Sequence, residues 1–158
     1  MPTPLITRKG YNALRDELDN LWRVERPETT RKVTWAASLG DRSENADYQY
    51  NKKKLREIDR RVRYIRKALE RLKVVDYDPV QEGKVFFGAW VTIVDEEDNE
   101  LTIHIVGYDE IFGRKDCVSI DSPMARALLG KSVDDEVEVK TEAKTVNWLI
   151  ERIWYEVD

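Results

Sequence analysis

Two carboxylates stand three residues apart in a short polar stretch of the chain, at Asp41 and Glu44. No apolar side chain lies between Leu39 and Ala46, so we expect this stretch to be exposed to solvent. Mg²⁺ prefers oxygen ligands such as carboxylates, and a carboxylate can also orient or deprotonate a water molecule. Two carboxylates are too few to hold Mg²⁺ alone, which indicates that the chain brings them to a site completed by another molecule.

The same stretch also fits a purely structural role at the start of a helix. Asp41 could be the N-cap of that helix, with Glu44 bonding back to it in a capping box. Ser43 is equally compatible with a cap and with a contact beside the carboxylates, and Asn45 is a further good N-cap. From spacing alone, capping is the more frequent reason for such residues, so both interpretations stay open at this point.

Two helical patterns flank the polar stretch and must position it. The first repeats apolar residues at intervals of three and four, and it comprises Tyr11, Leu14, Leu18 and Leu21. The second keeps this rhythm more strictly, through Leu55, Ile58, Val62, Ile65, Leu69 and Leu72. Because only a few residues separate the patterns, the helices must run antiparallel and place the carboxylates where they join. Pro27 interrupts the first pattern, which predicts a bend and a register shift.

Charge is distributed unevenly along the chain. Residues 1–78 carry 19 Lys and Arg against 13 Asp and Glu, whereas residues 79–158 carry 8 against 18. The second helical pattern is the most basic part, since residues 51–73 contain eleven Lys and Arg and only three acidic residues. A charge run is usually a solvated helix face, but neighbouring pairs cannot neutralise so large an imbalance. We expect phosphates of a nucleic acid to contact a basic patch formed by Lys52, Lys53, Arg56 and Arg60.

The second half of the chain has the alternation that is typical of strands. Residues 84–94, 101–108, 137–141 and 146–157 are rich in Val, Ile, Phe and Trp, and residues 95–100 predict an acidic hairpin turn. Ser122 as N-cap, Pro123 at the first position and Gly130 at the end predict a short helix between them. The fold class is therefore α+β: a long antiparallel helical hairpin followed by a small antiparallel sheet domain with one short helix.

The remaining composition indicates a cytoplasmic protein, which we expect to act as a monomer. Cys117 is the single cysteine, so no disulfide forms within the chain, and His104 is the only histidine, so no Cys/His metal cluster exists. We find neither a signal-peptide pattern nor an apolar run long enough to span a membrane. We interpret Cys117 and His104 as structural residues. We also place four tryptophans in or near the core: Trp22, Trp90, Trp148 and Trp154.

Two long motifs carry a resemblance to a known family. They read VTWAASLGDRSENADYQYNKK at residues 33–53 and IDSPMARALL at residues 120–129. Both resemble the bacterial transcript cleavage factors GreA and GreB, and the likeness extends over essentially the whole chain. Trp35, the run Tyr48-Gln49-Tyr50 and the stretch GKVFFGAWV at residues 83–91 look like the GreB branch. Residues 41–44, which we call the tip, show no departure from the family pattern.

The resemblance implies a coiled-coil domain over residues 1–77, with its acidic tip at 41–44. It also implies a polymerase-docking domain over residues 78–158, like the FK506-binding prolyl isomerases. The coiled coil would enter the secondary channel of bacterial RNA polymerase in an arrested elongation complex. There the factor would stimulate the polymerase's own hydrolysis of backtracked RNA, without being an enzyme itself. Asp41 and Glu44 would be catalytic and Ser43 accessory. The isolated chain would bind no cofactor, since Asp41 would meet Mg²⁺ only in the polymerase active site.

The resemblance also implies where the chain meets its partners. The basic patch would bind the 3′ segment of the backtracked nascent RNA. A docking loop formed by Asp121, Ser122 and Pro123 would contact the polymerase at the rim of its channel. Ser122 and Pro123 also start the predicted short helix, whereas we expect Asp121 to face outward.

Two other functions stay open from the residues. One is a regulator that binds the secondary channel without stimulating cleavage, and the intact pair Asp41 and Glu44 argues against it. The other is a general RNA-binding or chaperone-like coiled coil. The acidic tip argues against that function, because it repels RNA unless a metal intervenes. The chain departs from the family at Asp134 and Lys144, where turns often carry glycine, and these departures concern turn geometry and not function.

Overall fold

Apolar residues at heptad spacing fold into long helices in the first half of the chain. In the computed structural model, which describes residues 2–40 and 44–157, α1 spans Arg8–Asn20, α2 spans Arg26–Ala37 and α3 spans Ala46–Arg71. The buried stripe of these helices includes Leu14, Leu21, Ala36, Ile58, Val62 and Ile65. Among the described residues, no helix has the length and apolar composition needed to cross a membrane.

Helices α2 and α3 run antiparallel, as predicted. Arg26 begins α2 and its guanidinium Nε lies 2.8 Å from Oδ1 of Asp59, far along α3. Ala36 lies near the end of α2, and its carbonyl accepts a hydrogen bond from Asn45, just before α3 begins. The two contacts place opposite ends of the two helices side by side, so the predicted helical hairpin is confirmed.

Pro27 interrupts the first helical pattern through a π-helical turn. Proline has no N–H to donate, and its ring collides with the carbonyl four residues earlier, so a regular helix cannot continue through it. Leu21–Glu25 is π-helical, and the N–H of Arg26 donates to the carbonyl of Leu21, five residues back. A π-helical turn holds an additional residue, which shifts the apolar stripe around the helix. The predicted register shift is therefore confirmed.

The chain divides into two compact units that do not coincide with its two halves. One unit is Tyr11–Arg71, and the other joins Met1–Gly10 to Leu72–Asp158. The first residues belong with the second half because β1, Leu5–Thr7, pairs in parallel with β2, Lys73–Val75. The predicted domain bounds, 1–77 and 78–158, concern which segments fold independently, and they stay a prediction.

A five-stranded sheet dominates the unit that contains the second half of the chain. Its strands are β3 (Trp90–Val94), β4 (Glu100–Val106), β5 (Cys117–Ser119), β6 (Glu136–Lys140) and β7 (Thr145–Trp154). They lie in the order β5-β4-β3-β7-β6, and only the β4–β5 pair is parallel. The short helix α4, Pro123–Leu128, buries Leu128 in the same core as Val91, Ile93, Ile105 and Ile150. The predicted α+β fold class is confirmed.

Some strand predictions need correction. The strand predicted over residues 84–94 begins only at Trp90, because Gly88 adopts a left-handed φ of 89° and the Val85 N–H donates to the Lys131 carbonyl outside the sheet. The three-residue strands β1, β2 and β5 were not predicted, and the parallel β4–β5 pair means that the sheet is not purely antiparallel. The acidic turn is confirmed, with Asp98 at a φ of 63°.

A buried carboxylate fixes the start of α1. Glu110 Oε2 accepts hydrogen bonds from the N–H of Thr7 at 3.1 Å and of Gly107 at 2.9 Å, while Oε1 accepts from the Thr7 hydroxyl. Thr7 is also the N-cap of α1, since its hydroxyl accepts from the Gly10 N–H at 3.0 Å. A Cβ at Gly10 would lie only 2.2 Å from Glu110 Oε1, so glycine is required there. The first turn of α1 is thus built around Glu110.

The two departures from the family pattern have different outcomes. Asp134 has a φ of 74°, the left-handed region that glycine adopts most easily, and its N–H donates to the Ile150 carbonyl at 2.8 Å. Among the described non-glycine residues, only Asp98 and Asp134 have such a φ, so Lys144 is not strained. The Thr141 N–H donates to the Lys144 carbonyl at 2.9 Å and closes that hairpin.

Replacing Glu110 with alanine should destabilise the protein by about 2–3 kcal/mol, because the buried N–H of Gly107 and the partly buried N–H of Thr7 lose their acceptor. Glu110→Gln is the matched control, since a glutamine oxygen can accept from Thr7 and Gly107 while its amide donates to the Thr7 hydroxyl. We expect that control to cost less than about 1 kcal/mol. Equilibrium unfolding in urea measures both, and equal stability of wild type and Glu110→Ala would contradict this role.

Candidate functional site

One asparagine side chain closes the end of the helical hairpin. Gly40 follows the end of α2 with a left-handed φ of 114°. Asn45 Nδ2 donates to the Ala36 carbonyl at 2.6 Å, and its Oδ1 accepts from the Tyr48 N–H at 3.0 Å. The side chain is therefore the N-cap of α3 and also joins the two helices. Asn45 therefore holds the end of α2 close to the start of α3.

Glu44 lies in a turn immediately before this cap, and it is exposed. Because Asn45 is the N-cap, Glu44 stands outside α3 and not at the third helical position that a capping box requires. The capping-box interpretation of Glu44 is therefore wrong. Asp41 and Ser43 fall outside the described residues, so their predicted roles stay predictions.

The carboxylate of Glu44 has the oxygen donors that Mg²⁺ prefers, and its exposure leaves it accessible to another molecule. Across residues 2–40 and 44–157, no three Asp, Glu, His or Cys side chains are grouped so that they could hold a metal ion.

All four members of the basic patch are exposed on α3. Lys52 Nζ lies 5.3 Å from the centroid of the Tyr48 ring, a cation–π contact that places this ammonium group close to the start of α3. Asp59 lies next to the patch in sequence, but Arg26 of α2 binds its carboxylate. The acidic residue nearest to Arg60 is therefore already paired. The four basic residues of the patch also outnumber Glu57, the exposed carboxylate among them, so the patch stays positive.

Asp121 of the docking loop is tied to the N-terminal segment. Thr3 donates from its N–H to Oδ2 at 2.8 Å and from its hydroxyl to Oδ1, and these bonds hold the pKa of Asp121 below its usual range. The expectation that this side chain simply faces outward is therefore wrong. Ser122 caps α4 by accepting from the Ala125 N–H at 3.2 Å, and Pro123 is the first residue of α4, as predicted. The docking role of the loop stays a prediction.

His104 and Cys117 are buried neighbours on β4 and β5. Burial lowers the pKa of His104 and raises the pKa of Cys117 to about 11. The His104 ring stacks on Trp90 at a centroid distance of 4.3 Å, and its Nε2 lies 3.2 Å from the Gly88 carbonyl. A neutral imidazole and a protonated thiol in these positions fit the structural role that we predicted for both residues.

Sequence reasoning missed Thr3 and Glu110 and misplaced Trp22. Thr3 gives no signal of its own, since its partner Asp121 lies 118 residues away. The sequence does not distinguish Glu110 from the other acidic residues of the second half, and only its hydrogen bonds reveal its role. Trp22 was placed near the core because it extends an apolar stripe, but 46% of its surface is exposed, so that prediction is wrong. The crowding of arginines around it was the signal that could have corrected the prediction.

Models of the family of transcription elongation factors that comprises GreA and GreB match nearly the whole chain. The model of the N-terminal region matches residues 4–74, and the model of the C-terminal region matches residues 80–155. The chain belongs to the GreA/GreB family of transcription elongation factors. The resemblance drawn from the tip and from the docking loop is thereby confirmed.

Curated relatives agree with this assignment and carry the name transcription elongation factor GreB. The relative from Pseudomonas putida is 65% identical over 98% of this chain and 96% of its own length. Those from Pseudomonas syringae pv. tomato and Vibrio cholerae are 63% and 62% identical, over 99% of this chain and 99% and 98% of their own lengths.

Among solved structures, the prokaryotic transcription elongation factor GreA/GreB from Nitrosomonas europaea is 18% identical and covers 98% of this chain and 100% of its own. Its TM-score of 0.44 is low, and the likeness adds nothing to the family assignment.

Replacing Asn45 should show how far the tip depends on one side chain. Asn45→Ala removes both the cap of α3 and the bond to Ala36, and we expect it to destabilise the hairpin by about 2 kcal/mol. Asn45→Ser is the matched control, because serine is an equally good N-cap but is too short to reach α2. It should cost about half as much. Thermal unfolding followed by helical circular dichroism separates the variants, and an unchanged Asn45→Ala protein would contradict the dual role.

Proposed function

We propose that this chain stimulates the hydrolysis of backtracked RNA by bacterial RNA polymerase, by inserting its helical hairpin into the secondary channel of the enzyme. The observation that carries the proposal is the position of Glu44, exposed at the end of the hairpin and not used to cap α3. Membership of a family of transcription elongation factors supports a role of the chain in transcription elongation. An acidic bend at the end of a long hairpin is suited to reach a site that lies inside another molecule.

The two tip carboxylates have separate tasks in this proposal. Asp41 supplies an oxygen ligand to the polymerase's Mg²⁺, whose other ligands come from the polymerase and the RNA. When bound there, Mg²⁺ lowers the pKa of a coordinated water and offsets charge on the phosphate oxygens. Glu44 orients the attacking water and accepts its proton. Ser43 supports the two carboxylates as an accessory residue.

The basic patch acts behind the tip. Lys52, Lys53, Arg56 and Arg60 are exposed on α3 and can contact phosphates of the 3′ segment that backtracking extrudes. Positive charge there also offsets the repulsion between RNA and the acidic tip. The patch therefore guides the RNA, and the tip acts on the bond to be cleaved.

Docking is assigned to the other unit of the chain. Asp121, Ser122 and Pro123 contact the polymerase at the rim of the channel, with Asp121 held in place by Thr3. Residues 79–158 carry 18 acidic against 8 basic residues, which favours a basic surface on the polymerase. The chain works as a cytoplasmic monomer that lends residues to the polymerase and is not itself a hydrolase.

Removing the tip carboxylates tests the assignment of roles. Asp41→Ala should lower stimulated RNA cleavage by about a hundredfold or more, while the concentration that gives half-maximal binding to the stalled polymerase stays nearly unchanged. Glu44→Ala should lower cleavage less completely. Glu57→Ala is the control, since it removes an exposed carboxylate of α3, away from the tip. Cleavage by Asp41→Ala at the wild-type rate would rule out a metal-binding role for this residue.

Neutralising the basic patch tests its contact with RNA. A variant with Lys52, Lys53, Arg56 and Arg60 all changed to Gln keeps helix propensity and loses the charge. It should cleave RNA that is backtracked by about two or three nucleotides almost normally and be impaired on longer segments, increasingly so as salt rises. Cleavage rates on stalled complexes of defined length measure this. An equal loss at all lengths would indicate general attraction to the channel instead.

A further inference from the structure

Trp22 is an exposed tryptophan that two arginines contact. It lies in the π-helical segment Leu21–Glu25, and 46% of its surface is open to solvent. The guanidinium of Arg66, from α3, lies 4.7 Å from the centroid of its ring, and that of Arg26 lies 5.2 Å away. Because nearly half of this side chain is exposed, packing in the core does not explain why a tryptophan stands here. Its exposed ring and the two arginines point to a role at the surface.

The ring holds both guanidiniums in defined positions. A guanidinium stacked on an aromatic face keeps its N–H edges free for a second partner, and those edges match the oxygens of a phosphate. Arg26 uses Nε to bind Asp59 at 2.8 Å, which fixes it further and compensates its charge. Arg26 therefore offers its remaining N–H groups, whereas Arg66 supplies the positive charge of the pair. For Arg66, no carboxylate of the described residues lies within ion-pair distance.

A stripe of charge connects this cluster to the basic patch. It follows heptad spacing along α3 and consists of Lys52, Arg56, Asp59, Arg63 and Arg66. Its four basic members are exposed, and its one acidic member is paired with Arg26. The positive side of α3 therefore continues from the patch to Trp22 without an uncompensated negative charge.

A groove opens beside the ring. It has a volume of about 550 Å³, and its lining includes Leu18, Trp22 and Leu69 with Arg15 and Arg66. Asp16 and Asp19 also line it, but Arg23 pairs with Asp19 at 2.8 Å. Arg15, Arg23 and Arg66 outnumber Asp16 and Asp19 in the lining. The groove thus offers an apolar floor with a small excess of positive charge, which suits the backbone of a single nucleic-acid strand.

We propose that Arg66 and Arg26 form a phosphodiester-binding site for extruded single-stranded RNA, with Trp22 as the residue that positions both guanidiniums. The site rests on the proposed function, since it lies further along the same RNA path. Between Ala46, the first residue of α3, and Arg66 the helix rises about 30 Å. RNA reaches the site only after backtracking by several nucleotides, so the site selects for long extruded segments.

The test uses stalled cognate polymerase complexes backtracked by about three or about ten nucleotides. Arg66→Gln and Trp22→Leu should cleave the long segment about fivefold more slowly than wild type and the short segment at the wild-type rate. Trp22→Phe keeps an aromatic face and should cleave both normally. Lys67→Gln is the matched control, since it removes an exposed charge one residue away, off the stripe. On the long segment, the half-maximal factor concentration should also depend less steeply on salt concentration for Arg66→Gln. The slope of the log–log plot should fall by about the amount that one phosphate contact contributes.

Three results would overturn the proposal. Equal losses on short and long segments, with a higher half-maximal concentration, would assign the site to a protein contact with the polymerase. A loss in Lys67→Gln as large as in Arg66→Gln would indicate unspecific attraction. Wild-type cleavage of long segments by Arg66→Gln and Trp22→Leu would remove the site.

If the wild-type protein does not stimulate cleavage even of short segments, the proposed function fails. A second measurement tests the site in that case too. Equilibrium binding of a single-stranded RNA of about twelve nucleotides to the full chain needs no polymerase. Arg66→Gln and Trp22→Leu should weaken it about fivefold, and Lys67→Gln and Trp22→Phe much less. Equal binding by all the proteins would refute the site.

Discussion

The hydrogen bonds of Asn45 are the interaction on which the functional end of this protein depends. A helix leaves acceptors unsatisfied at its end and donors unsatisfied at its start. The side-chain amide of Asn45 pairs with one group of each kind: it donates to the Ala36 carbonyl of α2 and accepts from the Tyr48 N–H of α3. The end of α2 and the start of α3 are therefore held side by side. Glu44 stays outside the helix, where its side chain is available for chemistry.

In the proposed function the chain separates its tasks along its length, and electrostatics explains the order. Carboxylates at the bend would repel RNA, and the exposed basic residues of α3 follow directly behind them. Ion pairs such as Arg26 with Asp59 neutralise acidic residues near that path and leave the basic ones available. The sheet unit carries the excess of acidic residues, and its docking loop owes its shape to Thr3 and to the cap by Ser122.

Much of the fold could be predicted because long helices repeat their signal many times. The stripe of Ile58, Val62 and Ile65 fixes the register of α3, and the proline rule locates the irregularity before Pro27. The short strands β1, β2 and β5 could not be predicted, since three residues carry no period. In addition, β1 and β2 are partners that lie far apart in sequence.

The candidate site was predictable to a different degree at each residue. Spacing placed Glu44 in a bend but could not decide between a cap and a free carboxylate, because Asn45 also fits a cap and only the hydrogen bonds distinguish them. The link between Thr3 and Asp121 and the exposure of Trp22 depend on tertiary contacts that a linear pattern does not encode. Apolar stripes predict burial well in the middle of a hairpin and poorly at its flanks.

The central claim is that the active site is complete only when this chain and RNA polymerase meet. The most direct measurement incubates the same labelled RNA with the protein and Mg²⁺ in two forms: free in solution and backtracked in a stalled cognate polymerase. The account predicts that the protein leaves the free RNA intact and accelerates cleavage in the stalled complex well above the rate of polymerase alone. Cleavage of free RNA by the protein, or no acceleration in the stalled complex, would contradict it.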